Sequence, residues 1–137
     1  MLWTDATEHK YIEESGMMNV MFVIGDKLIT PSLSDSILDG VTRDCLLTLA
    51  SDMGFAVEER PVAVSELERA FANGTINSAF GAGTAAVVAP ISVIHISGTN
   101  HELPAYTHDN LMFVLKEKLD GIRYGECRDQ YNWNCIV

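Results

Sequence analysis

Basic residues are scarce in this chain. Nine lysines and arginines stand against nineteen aspartates and glutamates in 137 residues, a formal net charge of −10. Nucleic acid or an anionic membrane is ordinarily met by a basic face, so neither is expected as a partner. A small anion remains admissible, because backbone amides can bind one without any basic side chain. Cysteine is sparse as well. Cys45, Cys127 and Cys135 are odd in number and scattered, with no Cys-x-x-Cys. No disulfide framework is expected, and the chain reads as soluble, intracellular and cytoplasmic. No apolar run is long enough to cross a bilayer, and no charged-then-apolar leader opens the sequence. His9, His95, His101 and His108 follow no ligand spacing, so no metal is expected. There is no Gly-x-Ser-x-Gly elbow to carry a serine nucleophile. Repeats and low-complexity linkers are also missing. What remains is one ordinary globular domain, 47% hydrophobic, long enough to bury about two-thirds of its unfolded surface.

The hydrophobic pattern mixes two periods. Met18 to Ile24, "MNVMFVI", is nearly all apolar and short, as in a strand buried on both faces. Gly25-Asp26 predicts a hairpin turn, Lys27 to Thr30 the return strand, and Pro31 its end. From Val41 the period becomes helical, with Val41, Cys45, Leu49 and Met53 on one face and Gly54 as its C-terminal stop. Phe55 to Arg60 reads as a short strand. Ser65 with Glu68 forms a capping-box signature for a helix towards Phe71, closed by Gly74. Ile76 to Ile96 is strand-rich. Thr107 is a fair N-cap for a last helix with Leu111, Leu115, Leu119 and Ile122 on one face and Gly125 at its end. "NWNCIV" could be a closing strand. The Met17, Met18 and Met21 cluster reads as core packing. The class is mixed α/β in one domain.

Three short stretches could carry chemistry, and each has a plainer reading. Gly40-Val41-Thr42 stands at a helix mouth, where N–H groups are free and the helix dipole is positive. A threonine there adds a hydroxyl donor for a phosphate oxygen; the plainer reading is that Asp39 or Gly40 simply caps the helix. "FGAGTA", Phe80 to Ala85, has two glycines that would admit a close ligand and a threonine donor. It opens no clear helix, so it is neither a Rossmann nor a Walker loop, and a bend between strands explains it equally. Glu13-Glu14 precedes the buried strand and could pair with a protonated ring nitrogen, or be two surface glutamates.

Taken in order, "YIEESGMMNVMFVI", "LITPSLSDSILDGVTRDCLLTLA", "VEERPV", "FGAGTAAVVAPI" and "IRYGECRDQYNW" resemble the C-terminal domain of branched-chain amino acid aminotransferases. These are pyridoxal-phosphate enzymes of fold type IV. The resemblance spans residues 1–137 and implies a D-amino-acid-aminotransferase-like α/β domain whose mixed sheet forms a partial barrel with flanking helices. By the same resemblance Glu14 pairs with the pyridinium nitrogen of pyridoxal phosphate and Leu38 packs on its ring. Val41, Thr42 and Thr84 hold its phosphate, Gly40 is a further cofactor-binding residue, and the N–H groups of Thr84 and Ala85 hold the substrate's α-carboxylate. Asp39 departs from the proline common in "LPGVTR", and Ala86 and Ala89 replace a Cys-x-x-Cys found in some relatives.

The family's reaction needs a lysine that forms a Schiff base with the cofactor. Lys10, Lys27, Lys116 and Lys118 stand in the wrong contexts for it, so no catalytic residue is assigned. The chain is expected to be a fragment, inactive alone, of which the N-terminal domain is missing. The parent would transaminate leucine, isoleucine and valine with 2-oxoglutarate, exchanging branched-chain amino acids and 2-oxo acids, and would be a homodimer. A D-amino acid aminotransferase, an aminodeoxychorismate lyase relative and a non-catalytic anion-binding domain are the alternatives.

Overall fold

A computed structural model describes residues 1–135. In chain order its elements are β1 (Leu2–Thr4), β2 (Tyr11–Ser15), β3 (Met18–Ile24), β4 (Lys27–Thr30), α1 (Val41–Asp52), β5 (Ala56–Glu59), β6 (Val62–Ala63), α2 (Val64–Ala72), β7 (Ile76–Gly83), β8 (Val87–Ile91), β9 (Val93–Ile96), β10 (Thr99–Glu102) and α3 (Leu111–Arg123). Strands β1 to β8 share one mixed sheet and β9–β10 form a separate hairpin. Among the described residues only β4–β5 is parallel. Among the described residues no ladder joins β5 to β8, so the sheet is not a closed barrel.

Strand β3 organises the sheet. One edge pairs with β7 along its length, from Asn19↔Ala82 to Ile24↔Ile76. The other edge is divided. Its beginning pairs with β2, Glu14↔Asn19 and Ser15↔Met18, and its end pairs with β4 from Phe22↔Ile29 onward. Where β2 and β4 part, the Val20 carbonyl has lost its strand neighbour. The Thr30 hydroxyl, 1% exposed, donates to it at 2.8 Å. A side chain thus satisfies a buried backbone acceptor that the fork would orphan.

The sheet has a core on each face, because successive side chains alternate. Met21, Val23 and Phe80 pack under α1 and α3. Val20, Phe22 and Ala79 pack under α2 and β9. The pairing of β1 with β2 carries an extra residue in β2, between Leu2↔Ser15 and Thr4↔Ile12. That irregularity changes the alternation. Ile12 enters the α2-side core, while Glu14 reaches the α1 side, where it meets Asn19 and Leu38.

Several expected details are corrected. Val41 leaves the buried face of α1 and is 80% exposed, because it is the helix's first residue and projects past the core. The Ser65–Glu68 capping box does not form. The strand β6 runs straight into α2, Val64 N–H already donates to the Lys10 carbonyl, and Glu68 accepts from Ser97 instead. Thr107 does not cap α3. Its N–H and hydroxyl bind Asn110 Oδ1, and Asn110 is the N-cap. Met17 is 96% exposed at the β2–β3 turn rather than in the core. Residues 132–135 are not a strand; the last two residues of "NWNCIV" lie outside the described residues. The helical face of Leu111, Leu115, Leu119 and Ile122 is buried as expected.

Two stability predictions come from these contacts. Replacing Thr30 with Val keeps the shape and removes the fork's hydroxyl. It should cost about 1–3 kcal/mol in urea unfolding, with Thr30→Ser costing less. The Asp5 carboxylate accepts N–H bonds from Tyr11, Glu8, Lys10 and Thr7. Those donors hold its carboxyl well below the usual carboxylate range. Because the folded value is lowered, its contribution is complete above the ordinary value of 3.8 and is lost as pH falls through the folded value. The urea midpoint of Asp5→Asn should therefore lie below the parent's at pH 7, and the gap should narrow below pH 3.8.

Candidate functional site

Helix α1 begins without a side-chain cap. Gly40 is its N-cap residue in an extended conformation, and no side chain bonds the first turn. The first backbone bond is Asp44 N–H to the Gly40 carbonyl at 3.0 Å. The N–H groups of Val41, Thr42 and Arg43 precede it and have no acceptor within the helix. Asp39, the unexpected acid, is exposed and does not cap.

A cleft of about 80 Å³ lies at this mouth, lined by Glu14, Met17, Asn19, Leu38, Gly40, Val41, Thr42, Ala82, Gly83 and Thr84. A larger cleft of about 390 Å³ adjoins it. The two share Val41, Thr42 and Thr84, and Arg123, Trp133 and Asn134 line the larger one. Three distant segments therefore meet at one place: the β2 end, the α1 mouth and the β7–β8 turn. Ala85 sits in that exposed turn beside Thr84 but lines neither cleft.

Glu14 is fixed by its neighbours. Its Oε1 accepts the Leu38 N–H at 2.9 Å and lies 3.5 Å from Asn19 Nδ2. Adjacent Glu13 accepts the Ser36 hydroxyl at 2.6 Å. Both glutamates thus hold the segment that leads into α1. Leu38 itself is 70% exposed, its side chain standing on the cleft's rim.

The glycines have a more specific meaning than ligand access. A Cβ on Gly81 would lie 2.8 Å from Met18 Cε, and one on Gly83 would lie 3.1 Å from Met18 Cγ. That spaced pair makes room for a methionine. Gly40 makes room for Asn19, since a Cβ there would lie 2.2 Å from Asn19 Oδ1.

Two residues, one lining the cleft and one supporting the helix mouth beside it, escaped the sequence reading. Asn19, 5% exposed, is the lone amide in the apolar run of β3. Its polarity in a doubly buried strand was the available signal. Arg43 shares the buried helix face of Leu46, Leu47 and Ala50 and is 2% exposed. Its Nη2 donates to the Pro31 carbonyl at 3.0 Å and to Glu59 at 2.8 Å, while its Nε has no partner. It ties the first turn of α1 to the ends of β4 and β5.

The other titratable groups are less engaged with the clefts. Burial pushes the Cys45 thiol up, so it is a poor nucleophile despite lining the larger cleft. Lys27 pairs with Glu58 and Lys116 with Asp120, Lys10 lies over the Tyr11 ring, and Lys118 is exposed. No lysine lines either cleft. Among the described residues no group of acidic, histidine or cysteine side chains could hold a metal, and no helix is long and apolar enough to cross a membrane.

Gly40→Ala should destabilise the chain by about 1–3 kcal/mol, since Asn19 must shift to admit the methyl. A urea midpoint equal to the parent's would contradict the close approach.

Residues 5–94 match the family model described as amino-transferase class IV. The probable branched-chain-amino-acid aminotransferase of Staphylococcus epidermidis is 38% identical over 137 residues, covering 100% of this chain and 38% of the relative. The branched-chain-amino-acid aminotransferase of Mycobacterium tuberculosis is 40% identical over 137 residues, covering 97% of this chain and 37% of the relative. Among solved structures, a branched-chain amino acid aminotransferase from Escherichia coli superposes with a TM-score of 0.75 at 25% identity, over 96% of this chain and 41% of that one. The PLP-form (holo-form) enzyme from Thermobaculum terrenum gives 0.73 at 29% identity, over 92% and 38%. The chain thus spans about two-fifths of the length of the curated relatives it matches.

Proposed function

The chain belongs to the amino-transferase class IV family, and we propose that it forms the cofactor-binding portion of a branched-chain amino acid aminotransferase. One observation carries this reading. Glu14, the uncapped mouth of α1 and Thr84 converge on a single cleft, although 24 residues or more separate Glu14 from the other two in sequence. The fit to pyridoxal phosphate rests on donor chemistry. Free N–H groups at a helix mouth and two threonine hydroxyls suit a phosphate. A carboxylate lining the same cleft suits a protonated ring nitrogen, and the rim of Leu38 and Met17 suits an apolar ring face.

In this reading the Val41 and Thr42 amides, with the Thr42 and Thr84 hydroxyls, hold the phosphate, and Gly40 contributes to the cofactor site as the N-cap that lets Asn19 pack against the helix mouth. Glu14 holds a proton at the ring nitrogen. Leu38 covers the ring and excludes water from one face. The N–H groups of Thr84 and Ala85 hold the substrate's α-carboxylate. Bound pyridoxal phosphate supplies the electron-accepting ring that transamination needs. The proton-transferring lysine belongs to a portion outside this chain, and the exposed apolar side chains Met17, Leu38 and Val41 fit a surface that this portion, or a second copy in a homodimer, covers. The substrates are leucine, isoleucine and valine with 2-oxoglutarate.

Calorimetric titration tests the phosphate seat. Pyridoxal phosphate should bind this chain at least about tenfold more tightly than pyridoxal, and Thr42→Val should lose about tenfold. Equal affinity for the two compounds would sink the assignment. Borohydride treatment of the mixture should leave no stoichiometric label on Lys10, Lys27, Lys116 or Lys118. Such a label, with turnover of L-leucine, would show that the lysine is on this chain after all.

A further inference from the structure

Asn19 has no role in the assignment above, yet it is the most constrained polar group at the cleft. It is 5% exposed in the middle of the sheet and lies directly across from Glu14 in the β2–β3 pairing. Its Nδ2 donates to the Leu38 carbonyl at 2.8 Å and reaches Glu14 Oε1 at 3.5 Å. The Leu38 N–H donates to the same Oε1 at 2.9 Å. Its Oδ1 stands so close to Gly40 that no larger residue fits there unmoved. One amide therefore touches the acid, the residue on the cleft's rim and the N-cap of α1.

We propose that Asn19 is a positioning residue that locks the Glu14 carboxylate and the Leu38–Gly40 segment into one arrangement before any ligand arrives. The proposal deepens the reading of Glu14 given above and rests on it for its consequence, though the lock itself exists without a ligand. The chemistry explains the residue type. Oε1 of Glu14 is engaged by neutral donors, while Oε2 has no partner among the described residues and is left for the ring nitrogen. A lysine or arginine at position 19 would orient Glu14 equally well but would cancel its charge. An aspartate would set a second carboxylate against it and against the Leu38 carbonyl. An asparagine orients the acid and leaves its charge intact.

Amide hydrogen exchange on this chain, without ligand, tests the lock. In Asn19→Ala the Leu38 N–H should exchange about tenfold faster than in the parent, while Val20 to Val23 in the core of β3 keep their protection. If that variant does not fold, Asn19→Asp has the same shape and should release Leu38 in the same way. Unchanged Leu38 exchange in a folded variant overturns the lock, whatever the chain binds. The consequence is read from the ¹⁵N shift of the ring nitrogen of bound pyridoxal phosphate at neutral pH. Glu14→Gln should move it towards the unprotonated value, and Asn19→Ala should move it part of the way. A shift in Glu14→Gln with none in Asn19→Ala overturns the proposal alone. No shift in either overturns the reading of Glu14 and the consequence drawn from it.

Discussion

The divided edge of β3 is the constraint on which the rest depends. A strand buried on both faces must satisfy its backbone on both edges. On one side β7 does so along the whole strand. On the other, β2 and β4 each take one end, and they diverge between Asn19 and Phe22. The Thr30 hydroxyl closes the gap at Val20. Beside it Asn19 turns its side chain to the α1 face and binds the segment that follows β4. The fork therefore fixes the sheet and also determines where the chain enters α1. The helix mouth lies against the β2–β3 turn because the segment leading to it is tied there at Leu38 and Gly40.

The electrostatics at that mouth make sense only together. An arginine in the first turn of a helix opposes the helix dipole, and a buried guanidinium with an unsatisfied Nε costs further stability. Glu59 offsets part of this, although it is half-exposed, and its attraction is accordingly screened. Asp44 in the same first turn suits the dipole. The guanidinium itself is directed at the Pro31 carbonyl and Glu59 and lines neither cleft, so the helix mouth faces the clefts with backbone N–H groups and no basic side chain of its first turn. Backbone amides can meet a small anion without a basic surface, whereas a nucleic acid needs the basic face that a net charge of −10 argues against.

The sequence disclosed the elements set by strong periodicity. The apolar block of β3 and the four-residue repeat of α3 are unambiguous, because burial on one or both faces imposes them. The ends of α2 and α3 were less legible. Ser65, Glu68 and Thr107 are good capping residues, but Glu68 is engaged by Ser97 and Thr107 by Asn110, and at α2 the Val64 N–H that opens the helix is taken by the Lys10 carbonyl from a distant strand end. Cap signatures are local, and tertiary partners override them. The six residues of the candidate cofactor site were named from family resemblance, and all six line one cleft. Asn19 and Arg43 were not named, because each looked like its surroundings: one lies inside an apolar strand, the other inside a helix with charged residues on its opposite face. Their meaning depends on Leu38 and Gly40 in one case and on Pro31 and Glu59 in the other.

The glycines show why such partners matter. "GAGT" and "DGV" both invite the same inference, that a missing side chain admits a ligand. For Gly81 and Gly83 the space belongs to Met18, on the face of β7 away from α1. For Gly40 it belongs to Asn19 Oδ1. In both cases the space a Cβ would fill is taken by a side chain of β3. What each provides is a close approach between two segments of the chain itself. On the α1 side that approach has a chemical consequence. It brings a backbone mouth with unpaired N–H groups within one amide's reach of Glu14, so that these N–H groups and a carboxylate face one cleft at a fixed separation. The extra residue in β2 completes the arrangement, since without it Glu14 would follow Ile12 to the opposite face of the sheet.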